Sequence, residues 1–307
     1  MAVSGNGTVA ALIAQFQLRN NYSRIVFIKT SHPVSDKQTR LFIRFQIRRL
    51  WPKCEVKGPT RHMTDQPFEI IGADRSGRWL VACDHASNHV PDWVHGGDLG
   101  LPAEDMQRHI AYDIGAAGVT RHLADLMNSP AILSRFSRLV CDPNRGEDDP
   151  TIMMRLYDGT IIPGNRNADD AEKEERLSRL YRPYHAAYAD LANKMNTPAI
   201  CAVHSFTPRL RGRYPRPWEI GVLYADDERL AQPFMDACRD AGWCTGDNQP
   251  YAGHLPGDAV DRHGLQHGRP NVLIELRQDL IADTAGQTLW AERLAPILTD
   301  VLARSGL

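Results

Sequence analysis

The amino-acid sequence predicts an α/β protein whose sheet is mostly parallel or mixed and is flanked by helices. Three continuous apolar runs have the length and composition of strands buried on both faces: Trp79–Cys83, residues 199–203 and residues 271–276. Three longer stretches have helical patterns: residues 104–127, 169–195 and 284–302. Apolar strands that alternate with helices are typical of a sheet covered by helices on both faces.

Shorter elements fill the intervals between these runs. Apolar residues at 131–133 and 139–141 predict two short strands, and residues 144–163, rich in charge, Gly and Pro, predict a loop. The helix over residues 169–195 begins with acidic residues, which complement the positive N-terminal end of a helix. Residues 220–224 predict a further strand, and a helix through Ala237 continues the alternation.

Residues 1–62 differ in character from the rest of the chain. They contain eleven Lys and Arg against two acids, Asp36 and Glu55, an excess of about nine positive charges. Residues 9–18 could form two turns of helix, and the features of a secretory signal are absent. We predict a basic, poorly ordered N-terminal extension over residues 1–62, with an organelle transit peptide as the alternative. Residues 63–307 are then a single α/β domain.

Composition narrows the classes of partner. A net charge of -1 over 307 residues favours neither nucleic acid nor a membrane surface, and no apolar run has the length of a bilayer span. The six cysteines form no CxxC pair, and Cys83, Cys141 and Cys201 lie in apolar runs. This pattern is typical of a reduced cytoplasmic protein. We expect a small-molecule partner, and the sequence leaves the oligomeric state open.

Polar side chains stand where the three apolar runs end. His85 follows the first run after Asp84, His204 follows the second, and Glu275 lies near the end of the third. Ligands of α/β sheets bind beyond the carboxyl ends of the strands, and catalytic zinc takes three nitrogen or oxygen ligands. We predict that His85, His204 and a carboxylate, with Asp113 as the candidate, hold a divalent metal.

Each of these predicted ligands has an ordinary alternative role. Either histidine could serve only as a hydrogen-bonding group, and the sequence after Asp113 also fits a helix N-cap. Asp84 and His89 are the reserve ligands. Histidine and carboxylate ligation suits zinc, and the sequence leaves other divalent metals open.

Glu275 is the predicted catalytic base. A carboxylate within an apolar strand is costly to bury unless it has a partner or a function. We expect Glu275 to take a proton from the attacking water and return it to the leaving amine. The alternative is a structural ion pair with Arg277 or a more distant arginine.

Arginine and asparagine near residue 140 form a second group. Arg138, Asn144 and Arg145 flank the apolar residues 139–141, and an arginine fork suits a substrate carboxylate. The alternative is a loop salt bridge from Arg145 to one of the acids at 147–149. A basic run at residues 209–216 is interpreted as a solvated loop, with a substrate-closing lid as the other possibility.

Taken in order, these residues resemble the N-formylglutamate amidohydrolase family. The resemblance rests on CDHASN at 83–88, RHIAYDIGA at 108–116, SRLVCDPNR at 137–145, VHS at 203–205 and IELR at 274–277. It implies a fold like that of zinc exopeptidases and phosphorylase/hydrolase-type proteins, and metal-dependent hydrolysis of the amide bond of a small N-acyl amino acid. The leading case is N-formyl-L-glutamate, cleaved to formate and L-glutamate, although a member of the family need not use this substrate. The resemblance also implies a substrate-carboxylate site at Arg138, Asn144 and Arg145, joined by Arg277.

The sequence departs from related zinc enzymes at one position. Zinc carboxypeptidases and aspartoacylase-type deacylases use a His-x-x-Glu motif, whereas here His85 is followed at the third position by Asn88. The third ligand must therefore come from elsewhere, which is why Asp113 is the candidate. Two other functions remain open at this point: a peptidoglycan amidase or carboxypeptidase, and a non-catalytic, metal-free binding protein of the same fold.

Overall fold

The computed structural model describes residues 11–18, 21–28, 66–195, 198–253 and 255–307, and it divides the chain into two units, Met1–Arg61 and His62–Leu307. In the first unit, β1 (Ala11–Leu18) pairs antiparallel with β2 (Asn21–Ile28). The helix expected over residues 9–18 is therefore wrong where the structure describes it. A helix of two turns is marginal by itself, whereas strand pairing satisfies the backbone with a partner. The rest of residues 1–62, where poor order was expected, lies outside the described residues.

The second unit contains a seven-stranded mixed sheet. Its strands are β3 (Phe68–Ile71), β4 (Trp79–Cys83), β5 (Ala131–Ser134), β8 (Ala199–Phe206), β9 (Ile220–Leu223), β10 (Thr245–Asp247) and β11 (Asn271–Arg277). Their order is β10-β9-β11-β8-β4-β5-β3. The four central strands β11, β8, β4 and β5 are parallel, while β9 runs antiparallel to β11 and β3 antiparallel to β5. The predicted sheet of mostly parallel or mixed strands is confirmed.

Two short strands and seven α-helices complete this unit within the described residues. The strands β6 (Leu156–Tyr157) and β7 (Thr160–Ile161) form a separate hairpin. The helices are α1 (Ala116–Leu126), α2 (Pro163–Arg166), α3 (Asp170–Arg176), α4 (Arg182–Lys194), α5 (Ala231–Asp240), α6 (Ala259–His263) and α7 (Thr284–Arg304). A π-helical turn, Leu177–Tyr181, joins α3 to α4, so the helix predicted over residues 169–195 is one helical stretch. Short 3-10 turns lie at Asp105–Gln107, Leu265–His267 and Gln278–Leu280.

In the second unit, two further predicted elements differ from the structure, and the loop predicted over residues 144–163 contains the β6–β7 hairpin. The strand predicted at residues 139–141 is a turn, because the Val140 amide donates to the carbonyl of Ser137 and the Leu139 amide to the Ser137 hydroxyl. The helix predicted from residue 104 begins only at Ala116, after Gly115 with φ of 81°. In both places apolar side chains are buried by loops, which an apolar pattern does not distinguish from strands or helices.

The sheet separates two hydrophobic layers, as the period of a strand requires. Along β4, Val81 packs in the layer with α1, α5 and α7, while Leu80 packs in the opposite layer with α4. Both residues are fully buried. No helix among the described residues is long and apolar enough to span a bilayer.

Candidate active site

Side chains from neighbouring strands form one row across the sheet. His204 on β8 is the register partner of Glu275 on β11, and Glu275 is the partner of Gly221 on β9. Asp84 follows the last residue of β4, beside His204. A Cβ at Gly221 would overlap the carbonyl oxygen of Gln249, so only glycine fits beside Glu275 in this row.

Asp113 lies at the centre of a buried His–Asp–His cluster. Its Oδ2 is 2.9 Å from His204 Nδ1 and 3.3 Å from His85 Nδ1, and it also accepts from the Ser205 amide at 3.2 Å. The alternative role of Asp113 as a helix N-cap is not observed, because Gly115 occupies the N-cap of α1 and makes no side-chain cap bond. The structure thus brings together the three predicted metal ligands, which offer ligand atoms within 4.8 Å of one another.

The outer nitrogen of each histidine faces a second carboxylate. His85 Nε2 is 2.7 Å from Asp142 Oδ1, and His204 Nε2 is 3.4 Å from Asp84 Oδ2. Ionised carboxylates only accept hydrogen bonds, so the Nε2 of His85, which bonds to Asp142, carries a proton. In a neutral His85 imidazole the Nδ1 lone pair then points at the oxygen of Asp113, and a cation bound between His85 Nδ1 and Asp113 Oδ2 would relieve the repulsion. Outer carboxylates orient metal-binding histidines in this manner.

The spacing of the cluster also fits a metal. Ligand atoms of a tetrahedral zinc site with bonds of about 2.0–2.1 Å lie about 3.3 Å apart. The two Nδ1–Oδ2 distances to Asp113, 3.3 and 2.9 Å, are close to this value. The residues present therefore fit a divalent metal with His85, His204 and Asp113 as its protein ligands.

The charges of the cluster favour a cation at its centre. Burial raises the pKa of Asp113, but the neighbouring His85 and His204 outweigh it and hold that pKa well below its usual range. Burial lowers the pKa of His204, yet the neighbouring carboxylates of Asp113 and Asp84 raise it far above its ordinary value. The low pKa of Asp113 keeps its carboxylate ionised between the two histidines, and the raised pKa of His204 reflects the negative charge of the carboxylates around it.

The two outer carboxylates are held by further bonds. Asp84 is fully buried and accepts from the Tyr184 hydroxyl at 2.6 Å. Asp142, also fully buried, accepts from Arg138 Nε and Nη2 at 3.1 and 2.8 Å and from the Asn144 amide at 2.9 Å. Burial raises the pKa of Asp142, but the Arg138 guanidinium more than offsets this, so the pKa lies well below its usual range.

Glu275 stands beside the cluster without a structural partner. Its side chain is buried, and its Oε2 makes no hydrogen bond to any described residue. Burial raises the pKa of Glu275 to about 7, against the opposing effect of His204. A carboxylate with this pKa can both accept and return a proton near neutral pH.

Arg277 is the one predicted site residue that the structure does not bring to the cavity. Its Nε donates to Asp279 at 2.8 Å, and its Nη1 donates to the carbonyl of Trp218 at 3.3 Å. These bonds direct the guanidinium to the rim of the sheet. The alternative ion pair between Glu275 and Arg277 is therefore not observed.

Asn144 and Arg145 reach the cavity from the loop after β5. Asn144 is fixed by its Oδ1, which accepts from the Ala259 amide at 3.1 Å. Arg145 donates through Nη1 to the Asn144 carbonyl at 2.7 Å and through Nε to Thr151 at 3.2 Å, and its Nη2 bonds to no described residue. The alternative salt bridge to an acid at 147–149 is not observed among the described residues.

All the predicted site residues except Arg277 line one cavity of about 290 Å³. Sequence reasoning assigned no role to several of its lining residues: His109, Tyr157, Leu223, Tyr251, Asp258 and Leu273. His109 stands in one of the motifs that carried the family resemblance, so a signal for it existed. Tyr251 and Leu223 had none, because a tyrosine in a loop and a leucine in an apolar strand are ordinary. A wider depression of about 770 Å³ around residues 225–229 contains none of the buried cluster.

The basic run at residues 209–216 is partly anchored. Arg216 lies over the ring of Tyr251, 4.9 Å from its centroid, and donates to its hydroxyl at 3.1 Å. The Arg211 amide donates to Asp158 at 3.2 Å, whereas Tyr214 is 93% exposed. The reserve ligand His89 is exposed, and Asp84 contacts His204 from outside the three-ligand cluster.

The profile of the N-formylglutamate amidohydrolase family matches residues 77–282, about two thirds of the chain. The chain belongs to the N-formylglutamate amidohydrolase family. It is accordingly a hydrolase acting on amide C–N bonds, and the predicted family and enzyme class are confirmed. Among functionally curated protein sequences no match is found.

Two solved structures resemble this member of the family. Gene product Atu2144 from Agrobacterium tumefaciens is 33% identical with a TM-score of 0.75, and the match covers 79% of this chain and 97% of that one. An N-formylglutamate amidohydrolase from Ralstonia eutropha JMP134 is 21% identical with a TM-score of 0.52, covering 78% and 99%. The second likeness shows the shared fold.

Proposed function

We propose that this amidohydrolase uses a divalent metal, zinc, to hydrolyse the amide bond of a small N-acyl amino acid. The family's namesake reaction, N-formyl-L-glutamate to formate and L-glutamate, is the reference case. One observation carries the proposal: the Nδ1 atoms of His85 and His204 converge on Asp113, while Asp142 bonds to the Nε2 of His85 and Asp84 lies 3.4 Å from the Nε2 of His204.

Different residues bind the metal and transfer the proton. A divalent metal held by His85, His204 and Asp113 would polarise the acyl carbonyl and acidify a water. Glu275 takes a proton from the attacking water and delivers it to the amide nitrogen as the C–N bond breaks. Its pKa of about 7 suits both steps.

The arginines orient the charged parts of the substrate. Arg145 lines the cavity and its Nη2 makes no hydrogen bond to a described residue, which suits the α-carboxylate of the amino acid. Asn144 stands beside it. Arg138 also lines the cavity, 3.7 Å from Asp113, and we assign its positive charge to stabilising the oxygen that becomes negative during attack.

The size of the cavity supports a small substrate. About 290 Å³ is near the lower end of the roughly 300–1,000 Å³ found for ligand pockets. A peptidoglycan amidase needs an open groove for a polymer instead. We place the reaction in the cytoplasm, since the cysteines that the structure describes are all free thiols.

The test combines metal content with turnover. Protein purified without chelator is assayed for zinc and for formate released from a panel of N-formyl amino acids that includes N-formyl-L-glutamate. We expect zinc to bind, chelation to stop formate release, and Glu275→Gln to keep the metal while turnover falls by about 10²–10⁴. The control is Glu292→Gln on the exposed face of α7. Near-normal turnover by Glu275→Gln, or a chain that binds no divalent metal, would contradict the proposal.

A further inference from the structure

The floor of the cavity has a second row of side chains, one pleat away from the row that contains Glu275. Leu273 precedes Glu275 by two residues on β11 and therefore lies on the same face of the sheet. Its register partners are Ala202 on β8 and Leu223 on β9. This row is entirely apolar, and Leu223 and Leu273 retain 5% and 6% exposure where they line the cavity.

Further apolar groups border this row. Tyr251 packs against Leu223 and Leu273, and Leu255, 39% exposed, lines the same cavity. The adjoining charged group is Asp258, whose carboxylate accepts from the Asp261 amide at the start of α6. A negative group on a substrate would meet leucines and another carboxylate here.

The basic side chains that line the cavity either have other partners or are uncharged. Arg138 binds Asp142 through two nitrogens and approaches Asp113 through the third. Arg145 is assigned to the α-carboxylate under the proposed function. His109 lies against the cavity, but burial lowers its pKa to about 4, so it is uncharged at neutral pH. Among the described lining residues no cation is left for a second carboxylate.

We propose that the amino acid released by this enzyme has an apolar side chain, and that Leu223, Leu255 and Leu273 form the subsite that receives it. The inference rests on the proposed function and narrows its substrate class, away from the acidic side chain of the family's namesake substrate. A glutamate side chain here would lose its hydration without gaining a cationic partner, whereas a leucine side chain would be removed from water by apolar neighbours.

The test compares two substrates that differ only in this side chain. Formate release is measured with the full, zinc-loaded chain on N-formyl-L-leucine and N-formyl-L-glutamate. We expect kcat/KM to favour the leucine substrate by about a hundredfold or more. Calorimetric binding of the products, which needs no turnover, should follow the same order, with L-leucine bound more tightly than L-glutamate.

A charge introduced at the rim provides the matched variant. Because Leu255 is partly exposed, Leu255→Arg can fold without burying its guanidinium. The variant should reduce the ratio of kcat/KM for N-formyl-L-leucine to that for N-formyl-L-glutamate by about tenfold. Leu289→Arg, at an exposed leucine of α7 outside the cavity lining, should leave the preference unchanged.

The outcomes separate this inference from the function on which it rests. Equal or better hydrolysis of N-formyl-L-glutamate by the wild-type chain would overturn the apolar subsite and leave the proposed function intact. An unchanged ratio in a folded Leu255→Arg protein would also overturn it. Zinc-loaded protein that releases formate from neither substrate nor any of the panel would overturn the proposed function itself.

Discussion

Replacing Glu275 by glutamine should make the metal-free protein more stable at neutral and alkaline pH. Burial raises the pKa of Glu275 from 4.5 to about 7 in the folded state. An acid whose pKa is raised by folding contributes its full share of stability below the unfolded pKa. That share is lost as pH rises through the folded pKa, because the folded state must then hold a buried charge. Glutamine cannot ionise and so avoids this loss.

The magnitude follows from the size of the shift. A difference of about 2.5 pKa units at about 1.36 kcal/mol per unit corresponds to about 3 kcal/mol above pH 8. Near pH 4.5 the two proteins should unfold with nearly the same free energy. Between pH 5 and pH 8 the advantage of Glu275→Gln should grow by about 2–3 kcal/mol.

Urea unfolding in the presence of a chelator measures this difference. Wild type, Glu275→Gln and the exposed control Glu292→Gln are compared at pH 5 and pH 8. The control should follow wild type at both values. A free-energy difference between wild type and Glu275→Gln that does not change with pH would refute the reasoning, since Glu275 would then ionise alike in the folded and unfolded chain.

Two further predictions concern the surroundings of the cluster. Asp142→Asn removes the charged acceptor of His85 Nε2, so zinc affinity should fall by about 10–100-fold in a chelator competition; unchanged affinity would mean that Asp142 does not orient the ligand. Gly221→Ala places a Cβ into the carbonyl oxygen of Gln249 and 3.4 Å from the Cβ of Glu275. This variant should lower the free energy of unfolding, measured by heat or urea, by about 1–3 kcal/mol and should also reduce kcat. Wild-type values for both quantities would show that the loop at Gln249 moves aside without cost.

The central strands could be predicted from the sequence because they are buried along almost their whole length. Trp79–Cys83 is buried throughout and entirely apolar, and between the ends of Asn271–Arg277 every residue except Glu275 is apolar. Glu275 was conspicuous for the same reason, as a carboxylate in an apolar run. The turn at residues 139–141 is just as apolar, but there the Ser137 side chain and carbonyl take the backbone hydrogen bonds. Apolar composition reports burial and does not report which backbone groups are paired.

The sequence likewise could not predict which partners the site side chains would bind. Arg277 and Glu275 lie on the same face of β11, yet only Glu275 reaches the cavity, because Asp279 and the Trp218 carbonyl bind the Arg277 guanidinium. Asp142 stood within a recognised motif. Its bonds to both His85 and Arg138, however, depend on how the turn at residues 139–141 folds, which the motif does not specify.

The sequence by itself determined the α/β class, the strand ends that bear His85, His204 and Glu275, and membership of an amidohydrolase family. These follow from local composition and from short runs of residues. Only the tertiary structure decided that Asp113 lies between the two histidines, that a carboxylate faces the outer nitrogen of each, and that leucines of β9 and β11 line the floor of the cavity. Those contacts join residues up to about a hundred positions apart, and their geometry depends on strand order and register, which no local pattern encodes.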